Sequence, residues 1–127
     1  MTTVFIVRHT EPDYDNHNDI LRELSSKGLQ DSKRVTDFGQ KRRLIVILSS
    51  PYKRAVDTSK DFADRYGFDI QTMDGFRERQ VDDVWIGDFT AFSKQQWDDF
   101  PYKLSNGECL QEVQNKNIST LKSILTQ

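Results

Sequence analysis

Two short runs carry apolar residues without polar alternation, residues 4–7 (VFIV) and residues 44–48 (LIVIL). A half-exposed strand alternates with period two, so continuous β-branched and aliphatic runs read as strands covered on both faces of a parallel sheet. Between them Leu24, Gly28, Ser32, Val35 and Phe38 recur at helical spacing, and Ser25 or Ser26 can cap the start. The small residues on that face would let the helix approach a sheet closely. After the second run, SSPYKRAVDTSKDFADRYG offers Ser50 as N-cap, Pro51 at the first helical position and Gly67 as exit. The inner face of this helix would be Ala55, Thr58 or Ser59, Phe62 and Tyr66. Residues 68–73 (FDIQTM) alternate and read as a third strand nearer a sheet edge. The order β-α-β-α-β predicts a parallel sheet with right-handed crossovers.

The rest is less regular. Residues 74–89 (DGFRERQVDDVWIGDF) mix charge with Trp85 and two glycines, which predicts a long ordered excursion of the kind that closes a site. Residues 90–100 predict a short helix with Trp97 turned inward and Pro101 as its stop. From Glu108 onward, Leu110, Val113, Asn117 or Ile118, Leu121, Ile124 and Leu125 repeat at helical spacing and predict a closing amphipathic helix.

Composition narrows the class. At 127 residues the chain is read as one domain, 1–127. Eighteen Lys and Arg against twenty Asp and Glu give a net charge of -2, which argues against nucleic acid and against an anionic membrane surface. Any anion site must therefore be local. The single cysteine, Cys109, excludes an internal disulfide, and the first residues lack a basic segment followed by a long apolar one, so a cytoplasmic location is expected. Neither a metal nor an organic cofactor is expected.

In open α/β sheets ligands bind beyond the carboxyl ends of the strands. The first predicted strand ends there in Arg8, His9 and Thr10, and the second in Ser49 and Ser50, before a helix whose first turn carries Lys53 and Arg54. A helix N-terminus with two nearby arginines favours an anion, and guanidinium forks match phosphate oxygens. An imidazole among them could attack phosphorus.

The joint pattern resembles the histidine phosphatase superfamily, the phosphoglycerate mutase-like group, over nearly the whole chain. FIVRHTEPDYD resembles its RHG strand-loop, ELSSKGLQDSKR its L-[ST]-x-x-G-x-x-Q helix, and LSSPYKRAVDTSK its S-S-P-x-x-R-A-x-x-T segment. FRERQVDDVWIGDF is similar to its L-x-E segment and Trp-Gly turn, and NGECLQEVQNK to its G-E-S-x-x-E-V-x-x-R segment. The resemblance implies a three-layer α/β/α sandwich with a mainly parallel sheet, lacking the last strand-helix portion. It also implies His9 as phosphorylated nucleophile, Arg8 and Arg54 as phosphate clamp, and Glu78 as general acid, with Thr10, Asn16 and Ser50 near the substrate. For Glu78 to hold a proton it needs partial burial or a carboxylate neighbour such as Asp82 or Asp83. The implied ligand is a small phosphorylated metabolite or phosphate.

Several positions depart from the family pattern. Thr10 stands where the family has glycine, Asp15 falls where it has asparagine with Asn16 one place late, and Cys109 replaces a serine. Cys109 reads as a buried small residue. The family's second catalytic histidine lies in a later apolar-[ST]-H-G segment that these 127 residues do not contain, and His17, in the polar loop DYDNHND, reads as exposed. The chain therefore reads as a shortened phosphatase of reduced activity, with a catalytically impaired anion-binding or interaction domain, or a phosphoglycerate mutase, as the alternatives. In the family the absent strand lies beside the first one, so an open edge is expected, covered by a second copy of the chain in a homodimer.

Overall fold

The computed structural model describes residues 1–80, 86–104 and 106–126, which divide into two compact units, 1–74 and 75–127. In the first unit, helix α1 (Ser26–Gln40) and helix α2 (Lys53–Tyr66) accompany two strands, β1 (Ile47–Ser49) and β2 (Ile70–Thr72). The strands pair in parallel, with Ile47 opposite Ile70 and Ser49 opposite Thr72. The architecture is thus α/β with a parallel strand pair, and each of these elements lies where the apolar patterning puts one.

Local chemistry explains the helix ends. Ser25 caps α1, its hydroxyl accepting the Gly28 N–H at 3.0 Å. Gly67 ends α2 at φ 74°, with its N–H bonded to the Ala63 carbonyl. At the start of α2 the helix begins at Lys53, two residues later than Pro51. Ser50 stands outside it and accepts the Tyr52 N–H at 3.2 Å, which makes a turn leading into the helix.

The buried face of α1 differs from its apolar stripe. Gly28, Ser32, Thr36 and Gly39 are buried, whereas Val35 is half-buried and Phe38 exposed. Two contacts with α2 rotate the helix this way. Thr36 donates to Asp61 Oδ2 at 2.7 Å, and Gly39 lies so close to Phe62 that a Cβ there would be 2.6 Å from its ring. On α2, Arg54, Thr58, Phe62 and Ala63 are buried, while Ala55 is half-buried and Tyr66 exposed.

The first apolar run departs most from expectation. Residues 4–7 belong to neither described strand, and Val4, Phe5, Ile6 and Val7 are 46%, 45%, 87% and 52% exposed. Phe5 rests on the end of α1, edge-on to Phe38 at 5.2 Å. A strand exists only where a second backbone accepts its N–H and C=O groups, and among the described residues no ladder reaches 4–7.

A short 3-10 turn (Asp74–Phe76) begins on the last residue of the first unit, and the second unit carries helices α3 (Phe89–Asp98) and α4 (Leu110–Leu125). Asp88 caps α3 through the Ala91 N–H at 3.2 Å. Trp97 does not turn inward: it is 62% exposed and lies edge-on to Phe100. Phe92 and Gln96 are buried instead, because the Gln96 amide donates to the carbonyls of Glu108, at 2.9 Å, and Tyr102, at 3.3 Å. Cys109 is buried and caps α4, its Sγ accepting the Glu112 N–H at 3.4 Å. Leu110 is buried, and Val113, Asn117, Leu121 and Ile124 form a half-buried stripe, with Ile118 and Leu125 on the exposed side. No described helix is long and apolar enough to cross a membrane.

Candidate active site

His9 and Thr10 are half-buried just before the loop that leads to α1, and both are held by hydrogen bonds. His9 Nδ1 lies 2.7 Å from the Thr10 carbonyl oxygen. A carbonyl oxygen only accepts, so this contact places an N–H on Nδ1, and in the neutral ring the lone pair is then on Nε2.

Thr10, at the position where the resemblance has glycine, turns its side chain to the scaffold. Its hydroxyl donates to the Gly28 carbonyl at 2.8 Å, and its N–H donates to Thr58 Oγ1 at 3.1 Å. Thr58 in turn donates to the Arg54 carbonyl at 2.7 Å. The His9–Thr10 segment is therefore tied to α1 through Gly28 and to the first turn of α2 through Thr58. Close approach is required here, since a Cβ on Gly28 would lie 2.1 Å from the Glu11 carbonyl oxygen.

The segment 13–25 folds back over this region. The Asp13 N–H bonds the Glu23 carbonyl at 2.8 Å, Ser25 N–H the Glu11 carbonyl at 2.9 Å, and Lys53 N–H the Ile20 carbonyl at 3.0 Å. One N–H at the start of α2 is thus spent on the loop. Asn16 holds the loop: its amide donates to Glu23 Oε2 at 3.0 Å and its Oδ1 accepts the Asn18 N–H at 3.0 Å. Asp15 and His17 are exposed.

The two arginines of the expected clamp have different surroundings. Arg8 is exposed. Arg54 is buried, with its guanidinium over the Tyr52 ring, Nη1 donating to the Asp19 carbonyl at 2.5 Å and Nη2 3.2 Å from Asp19 Oδ1. Arg22, also buried, reaches the same Asp19 oxygen at 3.3 Å and donates through Nε to the Asn16 carbonyl at 2.7 Å. Lys53 is engaged on the surface with Asp57 at 2.7 Å.

Glu78 lies in the second unit and is exposed, without the partial burial that would help it hold a proton. Its other expected support, Asp82 or Asp83, lies outside the described residues, as does Trp85. The backbone beside Glu78 is firmly held. Gln80 N–H donates to Glu108 Oε1 at 2.9 Å, Glu108 N–H donates to the Gln80 carbonyl at 2.6 Å, and Lys116 reaches Glu108 Oε2 at 3.1 Å. Burial pushes the Glu108 carboxyl up, but the Gln80 N–H and then the Lys116 ammonium and Arg77 outweigh it, leaving it below the ordinary carboxylate range. Burial pulls the neighbouring Arg79 guanidinium down despite the charge of Glu78.

Sequence reasoning passed over Asp19, Arg22 and Glu108 as site residues and saw Thr58 only as part of a helix face. Periodicity marks none of them, because their roles come from contacts between distant segments. The G-E segment containing Glu108 was the one signal available.

A parallel strand pair with α1 and α2, and polar residues gathered beyond the carboxyl end of β1, defines the class as an α/β fold. A model of the histidine phosphatase superfamily, branch 1, matches residues 4–127, and the chain belongs to that superfamily. Among solved structures, it is similar to a mycobacterial glucosyl-3-phosphoglycerate phosphatase in complex with inorganic phosphate, at 22% identity and TM-score 0.76, covering 94% of this chain and 60% of that one. Mycobacterial hydrolase 1 matches at 22% identity and TM-score 0.78, over 94% of this chain and 62% of that chain. The protein YhfR of Bacillus stearothermophilus matches at 24% identity and TM-score 0.77, over 94% of this chain and 65% of that chain. Likeness at this level of identity establishes the fold, and the chain spans less than two thirds of the length of each of these proteins. No curated protein matches it.

Proposed function

We propose that this chain acts on small phosphomonoesters in the cytoplasm through a phosphohistidine on His9. The observation that carries the reading is the His9 ring held with its proton toward the Thr10 carbonyl, which leaves Nε2 as the nucleophile. Nε2 forms a bond to phosphorus as the ester P–O bond breaks, and Glu78 gives its proton to the leaving oxygen. Water then cleaves the P–N bond, returning phosphate and the free imidazole. Arg54 and Arg8 neutralise charge on the phosphoryl oxygens during both steps.

The exposure of Glu78 favours a second reading, an anion-binding domain of weak or no turnover. Hydrolysis of a generic phosphomonoester by the wild type and by His9→Ala separates the two, together with trapping of an acid-labile phosphoenzyme. The enzyme reading expects turnover and a phosphoenzyme in the wild type alone. Equal rates and no phosphoenzyme would leave the anion-binding reading.

The reading also includes a second copy of the chain as partner. The exposed apolar side chains of residues 4–7, with Ile45 at 90% and Val46 at 47% exposure, support it. Together they offer on the order of 600 Å² per copy, near the lower bound of about 1,200 Å² in total for a specific interface. The segment 2–7 is uncharged and rich in strand formers, which suits strand pairing across a two-fold axis.

A further inference from the structure

Thr10 is held at its N–H, its hydroxyl and its carbonyl. The N–H donates to Thr58 Oγ1 at 3.1 Å, the hydroxyl donates to the Gly28 carbonyl at 2.8 Å, and the carbonyl oxygen lies 2.7 Å from His9 Nδ1. The first two contacts reach different helices, α2 and α1, so the residue is pinned between them. Thr58 is 4% exposed and is itself oriented: its one O–H proton goes to the Arg54 carbonyl at 2.7 Å, so toward Thr10 it only accepts.

The peptide that carries the Thr10 carbonyl is held from its far side as well. Glu11 accepts the Ser25 N–H on its carbonyl at 2.9 Å and the Ser25 hydroxyl on Oε1 at 2.8 Å. With the residues on both sides of this peptide fixed, the direction of the Thr10 carbonyl is set, and with it the orientation and neutral tautomer of the ring that bonds it. Thr10 stands where the family pattern has glycine. A glycine has no hydroxyl to give the Gly28 carbonyl and more backbone freedom to lose, so the threonine side chain supplies an anchor that a glycine cannot.

We infer that Thr10 is a positioning residue whose hydroxyl, together with Thr58, orients the His9 ring and selects the tautomer that attacks through Nε2. Its effect on turnover rests on the proposed phosphatase reading, whereas its effect on the ring does not. The hydroxyl proton is spent on Gly28 and is not offered to a phosphate oxygen, so the effect falls on kcat and not on KM.

The test compares the wild type with Thr10→Val, Thr58→Val and Thr10→Ser. Two quantities are read: the nitrogen NMR signals of the His9 ring at about pH 9, where an ordinary imidazole is neutral, and kcat and KM for a generic phosphomonoester. The wild type should show one tautomer, with the proton on Nδ1. Thr10→Val and Thr58→Val each remove one anchor at nearly constant volume. Both should add the Nε2–H tautomer and lose kcat about tenfold, with KM within about twofold. Thr10→Ser keeps the hydroxyl and should retain the single tautomer and most of the rate. Wild-type ring signals in Thr10→Val would overturn the inference whatever the rate does, since a slower enzyme with an unmoved ring would place Thr10 at the substrate. If the wild type itself turns nothing over, the phosphatase reading fails and the ring decides alone: a mixed tautomer in Thr10→Val and Thr58→Val upholds the positioning role, and an unchanged ring overturns it.

Discussion

Gly28→Ala sets helix propensity against packing within one residue. Gly28 lies inside α1, where alanine is preferred over glycine by about 1 kcal/mol, so propensity alone predicts a more stable protein. The structure predicts the reverse. A methyl carbon at this position would lie 2.1 Å from the Glu11 carbonyl oxygen and 3.1 Å from its carbonyl carbon. These are backbone atoms, so no side-chain rotation relieves the overlap, and the segment after His9 must move away from α1 by about 1 Å. Overpacking of this kind costs about 1–3 kcal/mol, and the Thr10 hydroxyl bond to the Gly28 carbonyl, worth about 1 kcal/mol, is strained with it. Offset by the propensity gain, the net loss is about 1–3 kcal/mol. It should appear as a lower urea midpoint at unchanged m-value. Because the displaced segment carries His9, the proposed phosphatase reading expects phosphomonoester turnover to fall on the order of a hundredfold, the effect of a 1 Å misplacement of reacting groups. A variant as stable as the wild type, or more so, with unchanged turnover would refute the close approach and with it the positioning of the His9–Thr10 segment by α1.

Two further outcomes are expected. Glu108 has its carboxyl held below the ordinary range in the folded chain, so its stabilising effect is present above the unfolded value of about 4.3 and disappears as pH falls through the folded value. Glu108→Gln should therefore cost about 1 kcal/mol at pH 7 and progressively less below about pH 4, as urea melts at the two pH values would show; a cost independent of pH would contradict the assignment. The second concerns residues 4–7. Wild-type protein should elute as a dimer in light-scattering chromatography, and Ile6→Lys, at an 87% exposed position, should shift it toward monomer without changing the thermal midpoint of the monomer. A wild type monomeric at every concentration would contradict the strand-pairing partner.

Much of the local structure was legible from the chain because it depends on neighbours in sequence. Ser25, Gly67 and the alternation around residues 68–73 mark their elements through capping and period, which need no knowledge of the rest of the fold. The order of those elements implied a parallel pair, and β1 and β2 form one. The faces of helices were less legible. Trp97 is the most apolar-looking anchor of α3, yet Gln96 is buried in its place, because two loop carbonyls need a donor and the sequence does not reveal where they pass. Likewise Thr36 and Gly39 displace Phe38 from the buried face of α1, since Asp61 and Phe62 of another helix lie opposite them.

By itself, the sequence determined the α-β-α-β order from residue 26 to residue 72, the superfamily and the residues eligible for phosphate chemistry, His9 and Arg54 foremost. These follow from local patterns of a few residues, in which side-chain type and spacing suffice. Tertiary structure alone decided that residues 4–7 stand outside the described strands, that Thr10 binds the scaffold, and that Asp19 meets Arg22 and Arg54. Each of those outcomes depends on which distant backbone or charge arrives within about 3 Å, and hydrogen bonds and ion pairs act only at that range.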